Sequence, residues 1–231
     1  MREQFQVNLR GVVDILSHHL YSSPRVYLRE LIQNGRDAIT ARRQLEADAP
    51  GTITIEAGGG EGAQNLVVAD NGIGLTADEM RSLLATIGAS SKRQDFTEAR
   101  SDFLGQFGIG LLSCFLVSDT IEVRTRSAST PDAPTMLWVA RGDGTYALTE
   151  TEPLPHPGTR VTLRPRHGED WLSAASVREL ATHYGAILPI PITLRSPDAE
   201  PTTIAPHPAS PPTPRARAVD GQYLAAALTL L

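Results

Sequence analysis

The chain has 231 residues, of which 41% are hydrophobic and 20% charged, the balance of a soluble globular protein with one good-sized core. Its formal net charge of -5 argues against electrostatic binding to nucleic acid or to an anionic membrane. No apolar run approaches the roughly 18 residues that a membrane span needs, and the N-terminus has no apolar signal-peptide core.

The single cysteine is consistent with a reducing compartment. Cys114 cannot form an internal disulfide, and no group of cysteines and histidines has the spacing of a zinc site. Its position inside the apolar run LLSCFLV favours a buried, inert thiol over a reactive one. We therefore expect a cytoplasmic protein that binds neither nucleic acid nor membrane.

The first half of the chain predicts helices around a pair of strands. Residues 11–21 are predicted to be helical, and a second helix has Ser23 as its N-cap, Pro24 in its first turn and its end near Glu46. Then follow two strands joined by a glycine-rich turn, a short helix opened by a capping box, a mobile segment and a buried helix. These lie at TITIEA, NLVVAD, Thr76-Ala77-Asp78-Glu79, residues 86–105 and LLSCFLV.

The second half of the chain predicts most of a sheet. Strands are expected at DTIEVRTR, TMLWVAR, TYALTE, TRVTLRP and PITLR, with a turn at Gly142-Asp143-Gly144 and a helix near residues 170–184. This order is typical of an α+β fold, here a two-layer α/β sandwich with one mostly antiparallel sheet covered on one face by helices. Seven of the 17 prolines fall between Pro197 and Pro214. We therefore predict a domain at 1–195 and a proline-rich linker or tail at 196–231.

Three polar side chains of the helix at RELIQNGRDAIT share one sector. Glu30, Asn34 and Asp37 are spaced i, i+4 and i+7, apart from the apolar stripe and from the arginines expected to face solvent. Such a row is either a half-solvated boundary of the helix or the wall of a binding site. The helix alone leaves both interpretations open.

Two glycine-containing segments offer a ligand for that sector. In NLVVADNGIGLT an apolar strand ends at Asp70, which either closes an ordinary turn or accepts a hydrogen bond from an exocyclic amine. In GQFGIGLLSCFLV, Gly105, Gly108 and Gly110 precede an apolar helix, whose free N–H groups suit phosphate. The glycine spacing matches neither the dinucleotide fingerprint nor the P-loop.

In this order, the segments resemble the ATPase superfamily of gyrase, heat shock chaperones, histidine kinases and MutL (GHKL). The resemblance is strongest to the heat shock protein 90 family, which includes the bacterial high-temperature protein G. It rests on LYSSPRVYLRELIQNGRDAI, DNGIGLT, IGASSK, GQFGIGLLSCFLVSD and GTRVTL and covers roughly residues 5–195. It implies the Bergerat fold, with an ATP pocket between helices above the sheet.

The resemblance also implies roles for single residues. Glu30 would be the general base of ATP hydrolysis, Asn34 would ligate Mg²⁺, and Asp37 would line the pocket or hold water. Asp70 would accept the adenine amino group, helped by a water held near the strand GTRVTL. The residues expected to contact ATP or ADP are Asn34, Asp37, Ala38, Asp70, Gly72, Gly74, Leu75, Ile87, Lys92, Gly105, Gln106, Phe107, Gly108, Ile109, Gly110, Leu111 and Thr159.

Residues 77–107 would form a lid over ATP, in which Lys92 is either a phosphate contact or a solvated side chain. The chain departs from the family pattern at three positions. Leu111 stands where an aromatic residue is common, Thr86 where an asparagine often lies near the ribose, and Ala41 where a lysine is frequent. These differences bear on affinity and inhibitor sensitivity more than on catalysis.

The function implied is that of the ATP-binding and ATP-hydrolysing N-terminal domain of a chaperone that assists protein folding by lid closure over Mg-ATP. Its partners would be client proteins and the middle and C-terminal domains of a homodimeric full-length protein. We expect this fragment to be a monomer with very slow turnover, because the middle domain would supply an activating arginine. Two alternatives stay open, an ATP-sensing regulatory module without turnover and a histidine-kinase-like catalytic domain.

Overall fold

The computed structural model describes residues 24–58, 65–83, 110–166, 169–186, 188–197 and 199–204. The predicted helix at 11–21, the Ser23 cap and the predicted mobile segment at 86–105 lie outside these ranges. Numbered in chain order, the elements are α1 (Val26–Leu45), β1 (Ile53–Ala57), β2 (Leu66–Asp70), α2 (Ala77–Leu83), a 3₁₀ helix (Gly110–Leu116), β3 (Thr120–Arg126), β4 (Met136–Arg141), β5 (Tyr146–Glu150), β6 (Gly158–Leu163), α3 (Ala174–Gly185), β7 (Ile192–Ser196) and β8 (Ala199–Ile204).

The eight strands form one sheet in the order β5-β4-β3-β6-β2-β1-β7-β8. Neighbouring strands are antiparallel except for β1 and β7, which run parallel. Alternation along β1 buries Ile53 and Ile55 and leaves Thr54 and Glu56 partly exposed, so one face of the strand points into the core. The structure confirms the predicted α+β fold with a mostly antiparallel sheet.

The core lies between this sheet face and the helices. From α1 it receives the predicted apolar stripe, in which Leu28, Leu31, Ile32 and Ile39 are almost completely buried together with strand residues in one cluster. Burying each such side chain contributes roughly 1.5–3 kcal/mol. The polar sector of α1 is therefore fixed in orientation by the stripe beside it.

Helix boundaries agree with the sequence at most ends. Helix α1 ends at Leu45 as predicted, but it begins at Val26, with Arg25 as an N-cap whose side chain makes no capping bond. Pro24 instead accepts a bond from the Tyr27 N–H in the turn before the helix. The capping box before α2 is confirmed, since the Thr76 N–H donates to Glu79 Oε2 over 2.8 Å and the Glu79 N–H donates back to Thr76 Oγ1 over 3.3 Å.

The buried helix predicted at LLSCFLV is a 3₁₀ helix. The Ser113 hydroxyl donates to the Gly110 carbonyl over 2.6 Å and so competes with regular α-helical bonding at this point. Cys114 is completely buried, as expected for an inert thiol. Burial, together with the nearby Glu30 carboxylate, raises the pKa of the Cys114 thiol well above its usual range.

The sheet continues past residue 195, where we placed the start of the linker. Strand β8 pairs antiparallel with β7, with Ile204 opposite Ile192 and Thr202 opposite Leu194. Among the described strands it is an edge strand, and it is mostly exposed; its Pro201 is tolerated there because no other described strand pairs with its outer side. A proline-rich composition therefore did not exclude pairing, and any linker begins after Ile204.

One close contact positions the end of β2 against α1. A Cβ at Gly72 would lie 2.5 Å from both the carbonyl carbon and the Cβ of Ala38. The next residue, Ile73, donates its N–H to the Ala38 carbonyl over 2.9 Å. Only glycine permits this approach of a loop to a helix backbone.

We expect Gly72→Ala to lower the free energy of unfolding by about 2–3 kcal/mol, since the added methyl group needs space that Ala38 occupies. The melting temperature, measured by circular dichroism, should fall by roughly 5–10 °C. Gly142→Ala is the control, because a Cβ at that turn position meets no atom closer than 3.9 Å. Equal melting temperatures of the two variants would contradict the contact.

Candidate functional site

The polar sector of α1 lies where three parts of the chain converge. Glu30 and Asp37 are partly buried, with 18% and 19% of their side chains exposed, and Asn34 between them is also half-buried. Gly110 lies beside the first of these residues, and the end of β2 lies near the middle of the helix. The structure thus places Glu30, Asn34 and Asp37 in one sector of α1 and packs Asp70 against Gly35 of the same helix.

Glu30 is held by its neighbour in sequence. The Arg29 guanidinium donates to Glu30 Oε1 through Nη2 at 2.8 Å and Nε at 3.2 Å. The other carboxylate oxygen faces Gly110, where a Cβ would lie only 2.5 Å from Glu30 Oε2. Glycine at position 110 therefore leaves the room that this carboxylate occupies at the start of the 3₁₀ helix.

Asp37 sits at the other end of the sector in a similar arrangement. Arg36 donates to Asp37 Oδ1 through Nε at 2.8 Å and Nη2 at 2.7 Å. Burial raises the pKa of the Asp37 carboxyl, and the bond and charge of Arg36 oppose that shift. The sequence did not predict the roles of Arg29 and Arg36, although each directly precedes a predicted acidic site residue.

Asp70 ends β2 in a half-buried position. Its Oδ1 accepts the Gly72 N–H over 2.8 Å. Burial raises the pKa of Asp70 to about 7, against the lowering effect of hydrogen bonds from the backbone of Gly72 and Thr159. A carboxyl group poised near neutrality, with few protein partners, is a common property of binding and catalytic sites.

Residues 71–75, hereafter the strand-end loop, are fixed by hydrogen bonds on both sides. The Ile73 carbonyl accepts the Ala128 N–H over 2.7 Å, and the Leu75 N–H donates to Thr125 Oγ1 over 2.9 Å. Gly74 has a φ of +62°, and a Cβ there would collide with the Arg126 carbonyl. Glycine is thus required at position 74 for conformation and for space.

Thr159 is placed next to Asp70 by strand pairing. The two residues are direct partners in the antiparallel register of β2 and β6, so their side chains stand on the same face, with Cβ atoms about 5 Å apart. Behind Thr159 lies Thr125 of β3, a fully buried hydroxyl that the sequence analysis missed. In TIEVRTR every second residue faces the core, and isoleucine and valine fill the other two such positions. A threonine at the third position was the sequence feature that could have indicated this hydroxyl.

The remaining predicted contacts divide in two groups. Leu111 is buried in the core and Ala38 carries the contact with Gly72. The others lie outside the described residues, namely Ile87, Lys92, Gly105, Gln106, Phe107, Gly108 and Ile109. Thr86 and most of the predicted lid at 77–107 also lie outside them, whereas Ala41 is a buried residue of α1.

Within the described ranges, no group of three or more histidine, cysteine, aspartate or glutamate side chains could cage a metal ion. In the same part of the chain, no helix is both long and apolar enough to cross a bilayer. A single half-buried amide, Asn34, instead fits a Mg²⁺ ion that takes most of its ligands from phosphate and water.

Comparison with known proteins agrees with this geometry. Residues 21–155 match the family described as histidine kinase-, DNA gyrase B-, and HSP90-like ATPase. Among curated proteins, the chain is similar to the chaperone protein HtpG of Methylococcus capsulatus, with 33% identity over 216 residues, 85% of this chain and 33% of the relative. The corresponding protein of Mycobacterium ulcerans is 35% identical over 225 residues, 88% of this chain and 34% of the relative.

The HtpG protein of Cronobacter sakazakii is 31% identical over 205 residues, 83% of this chain and 33% of the relative. The chain thus spans about a third of the length of the curated relatives it matches. These relatives confirm the resemblance to heat shock protein 90 chaperones that the motifs indicated. Because the family match extends over more than half of its length, the chain belongs to the histidine kinase-, DNA gyrase B-, and HSP90-like ATPase family.

Proposed function

We propose that the chain is the ATP-binding and ATP-hydrolysing N-terminal domain of a heat shock protein 90-like chaperone. The observation that carries this proposal is the placement of two carboxylates with different environments beside the same helix. Asp70 at the end of β2 is half-buried and has a raised pKa, whereas Glu30 of α1 is ion-paired and lies against a glycine at the start of a helix. The first suits a base amine and the second suits a water molecule near phosphate.

Glu30 would orient the attacking water and accept its proton. Its pairing with Arg29 keeps the side chain in place, and Gly110 leaves room for Oε2. Asn34, one turn further along α1, would hold Mg²⁺ through its side-chain oxygen. When bound, that ion would neutralise charge on the phosphate oxygens.

Asp70 would accept a hydrogen bond from the adenine amino group. Gly72 already donates to Oδ1, so the carboxylate is oriented before any ligand arrives. A guanine base would place a carbonyl oxygen in front of this acceptor, which a carboxylate rejects strongly. The glycines of the strand-end loop let the planar base approach the backbone.

The other contacts of the proposed site continue around the nucleotide. Gly105, Gly108 and Gly110 would donate N–H groups to phosphates, and Lys92 of the lid would add a positive charge. In the whole protein, client proteins and the middle and C-terminal domains would be partners of this domain, in a cytoplasmic homodimer. Turnover by this chain alone would be very slow, because part of the hydrolytic machinery would come from outside it.

A second candidate function is an ATP sensor that does not hydrolyse its ligand. The observation in its favour is the two-point pairing of Glu30 with Arg29, which occupies Oε1 of the would-be base. In the ATPase, water would use Oε2, or the pair would open when the nucleotide binds. In the sensor, the pair would persist.

We expect Asp70→Asn to weaken ATP binding at least about 100-fold. With its oxygen bonded to the Gly72 N–H, the amide would turn its NH₂ group, a donor, toward the adenine amine, which is also a donor. Calorimetry with ATP, ADP and GTP, with and without Mg²⁺, measures this. Asp143→Asn is the matched control, because Asp143 closes an exposed turn by accepting the Thr145 N–H and should leave binding unchanged. An unchanged ATP affinity in Asp70→Asn would refute the assignment of Asp70 to the adenine site.

We expect Glu30→Gln to bind ATP normally and to lose hydrolysis by about 100-fold or more in the full-length protein, because the amide cannot accept a proton. Phosphate release measures this. The control is Glu179→Gln, a substitution on α3 that removes the exposed ion pair of Glu179 with Arg25. Equal hydrolysis by Glu30→Gln and wild type would refute the general-base role and favour the sensor.

The raised pKa of Asp70 predicts pH-dependent binding of adenosine, a ligand with no phosphate to titrate. Only the ionised carboxylate accepts from the amine, and with a pKa of about 7 it is mostly protonated near pH 6 and mostly ionised near pH 8. Affinity should therefore rise by about 10-fold over this interval. Calorimetry at several pH values tests this, and a flat profile, like that expected for Asp70→Asn, would contradict it.

A further inference from the structure

Two threonine hydroxyls meet behind the proposed adenine site. Thr125 of β3 and Thr159 of β6 are register partners, and their Oγ1 atoms are 3.1 Å apart. Thr125 is fully buried, whereas Thr159 is half-buried and stands beside Asp70. Either hydroxyl could donate to the other on distance alone, so the direction of this bond follows from the other neighbours of Thr125.

Those neighbours leave a single consistent arrangement. Thr125 Oγ1 lies 2.9 Å from the Leu75 nitrogen, which can only donate, and 3.0 Å from the Gly158 carbonyl oxygen, which can only accept. A hydroxyl has one proton and two lone pairs. When its proton goes to Gly158 and one lone pair takes the Leu75 N–H, the 3.1 Å contact with Thr159 is a hydrogen bond only with Thr159 as the donor.

We propose that Thr125 is a positioning residue that fixes Thr159 as a hydrogen-bond acceptor toward the ligand, and so determines selection of a 6-amino over a 6-oxo purine. This inference rests on the proposed nucleotide site. The Thr159 proton points back to Thr125, so only lone pairs of Thr159 Oγ1 face the pocket. Without the Thr125 hydroxyl, Thr159 would be free to rotate and donate.

The paired acceptors explain the selectivity in chemical terms. Asp70 and Thr159 stand side by side at the end of β2 and the start of β6 and present oxygen lone pairs. The exocyclic amine of adenine has two hydrogens to give, either directly or through a bridging water. A 6-oxo purine offers a carbonyl oxygen instead and meets two acceptors, which leaves buried polar groups unpaired.

The test compares ATP with inosine triphosphate, which carries a 6-oxo group on an otherwise similar purine. We expect wild type to prefer ATP strongly and Thr125→Val, which has the same shape without the hydroxyl, to reduce the ratio of the two affinities by about 10-fold. Thr125→Ser keeps a hydroxyl and should restore the ratio. Thr162→Val, on the opposite face of β6, is the matched control and should leave the ratio unchanged.

A merely structural role of Thr125 would weaken both nucleotides together and leave the ratio intact, which would overturn the inference while the proposed ATP site stands. If wild type binds neither nucleotide, the proposed function fails and this inference fails with it. Should Thr125→Val not fold, neutron diffraction of the deuterated wild-type protein decides. Deuterium of Thr159 directed at Thr125 supports the inference, and deuterium of Thr125 directed at Thr159 overturns it.

Discussion

The contact between the end of β2 and the backbone of α1 is the constraint on which the rest of the site depends. Gly72 lies so close to Ala38 that no side chain fits between them, and the Ile73 N–H is bonded to the Ala38 carbonyl. This contact sets the distance between Asp70 and the polar sector of α1. Since α1 is itself held by its buried apolar stripe, the position of Asp70 relative to Glu30 is determined by core packing and needs no ligand.

Burial gives Asp70 its raised pKa, at a cost in stability. A carboxyl group whose pKa is raised in the folded state holds its proton more tightly there than in the unfolded chain. The contribution of this carboxyl group to stability is therefore greatest below its unfolded pKa of about 4 and declines as pH rises towards 7. An apolar residue would avoid this loss, so the carboxyl is better explained by binding than by folding. Glu30, by contrast, is ion-paired with Arg29.

The sequence predicted those features that periodicity and local chemistry encode. The alternation of β3 and the sector of Glu30, Asn34 and Asp37 follow from spacing alone, and the capping box at Thr76 is a local signal. The sequence did not predict features that depend on contacts between residues far apart along the chain. Strand β8 was not predicted because its composition is proline-rich and its pairing depends on β7, which lies beside it only in the folded chain. The hydrogen bonds of Thr125 with Leu75 and Thr159 likewise form only between segments far apart in sequence. The pairing of Arg29 with Glu30 was missed since adjacent helix residues do not usually face each other.

The adenine end and the phosphate end of the proposed site are built from different parts of the molecule. Every group that we assign to the adenine end, from Asp70 to Thr125 and Thr159, belongs to strand ends tied together by hydrogen bonds within one sheet. Base selection at the proposed site should therefore depend on these paired strands. At the proposed phosphate end, Glu30, Asn34 and Gly110 would supply a base, a metal ligand and room for the carboxylate. Charge stabilisation of phosphoryl transfer also needs cations, which Mg²⁺ and Lys92 would bring to the proposed site. The adenine end thus depends on the pairing of strands, whereas the phosphate end depends on one helix and its neighbours.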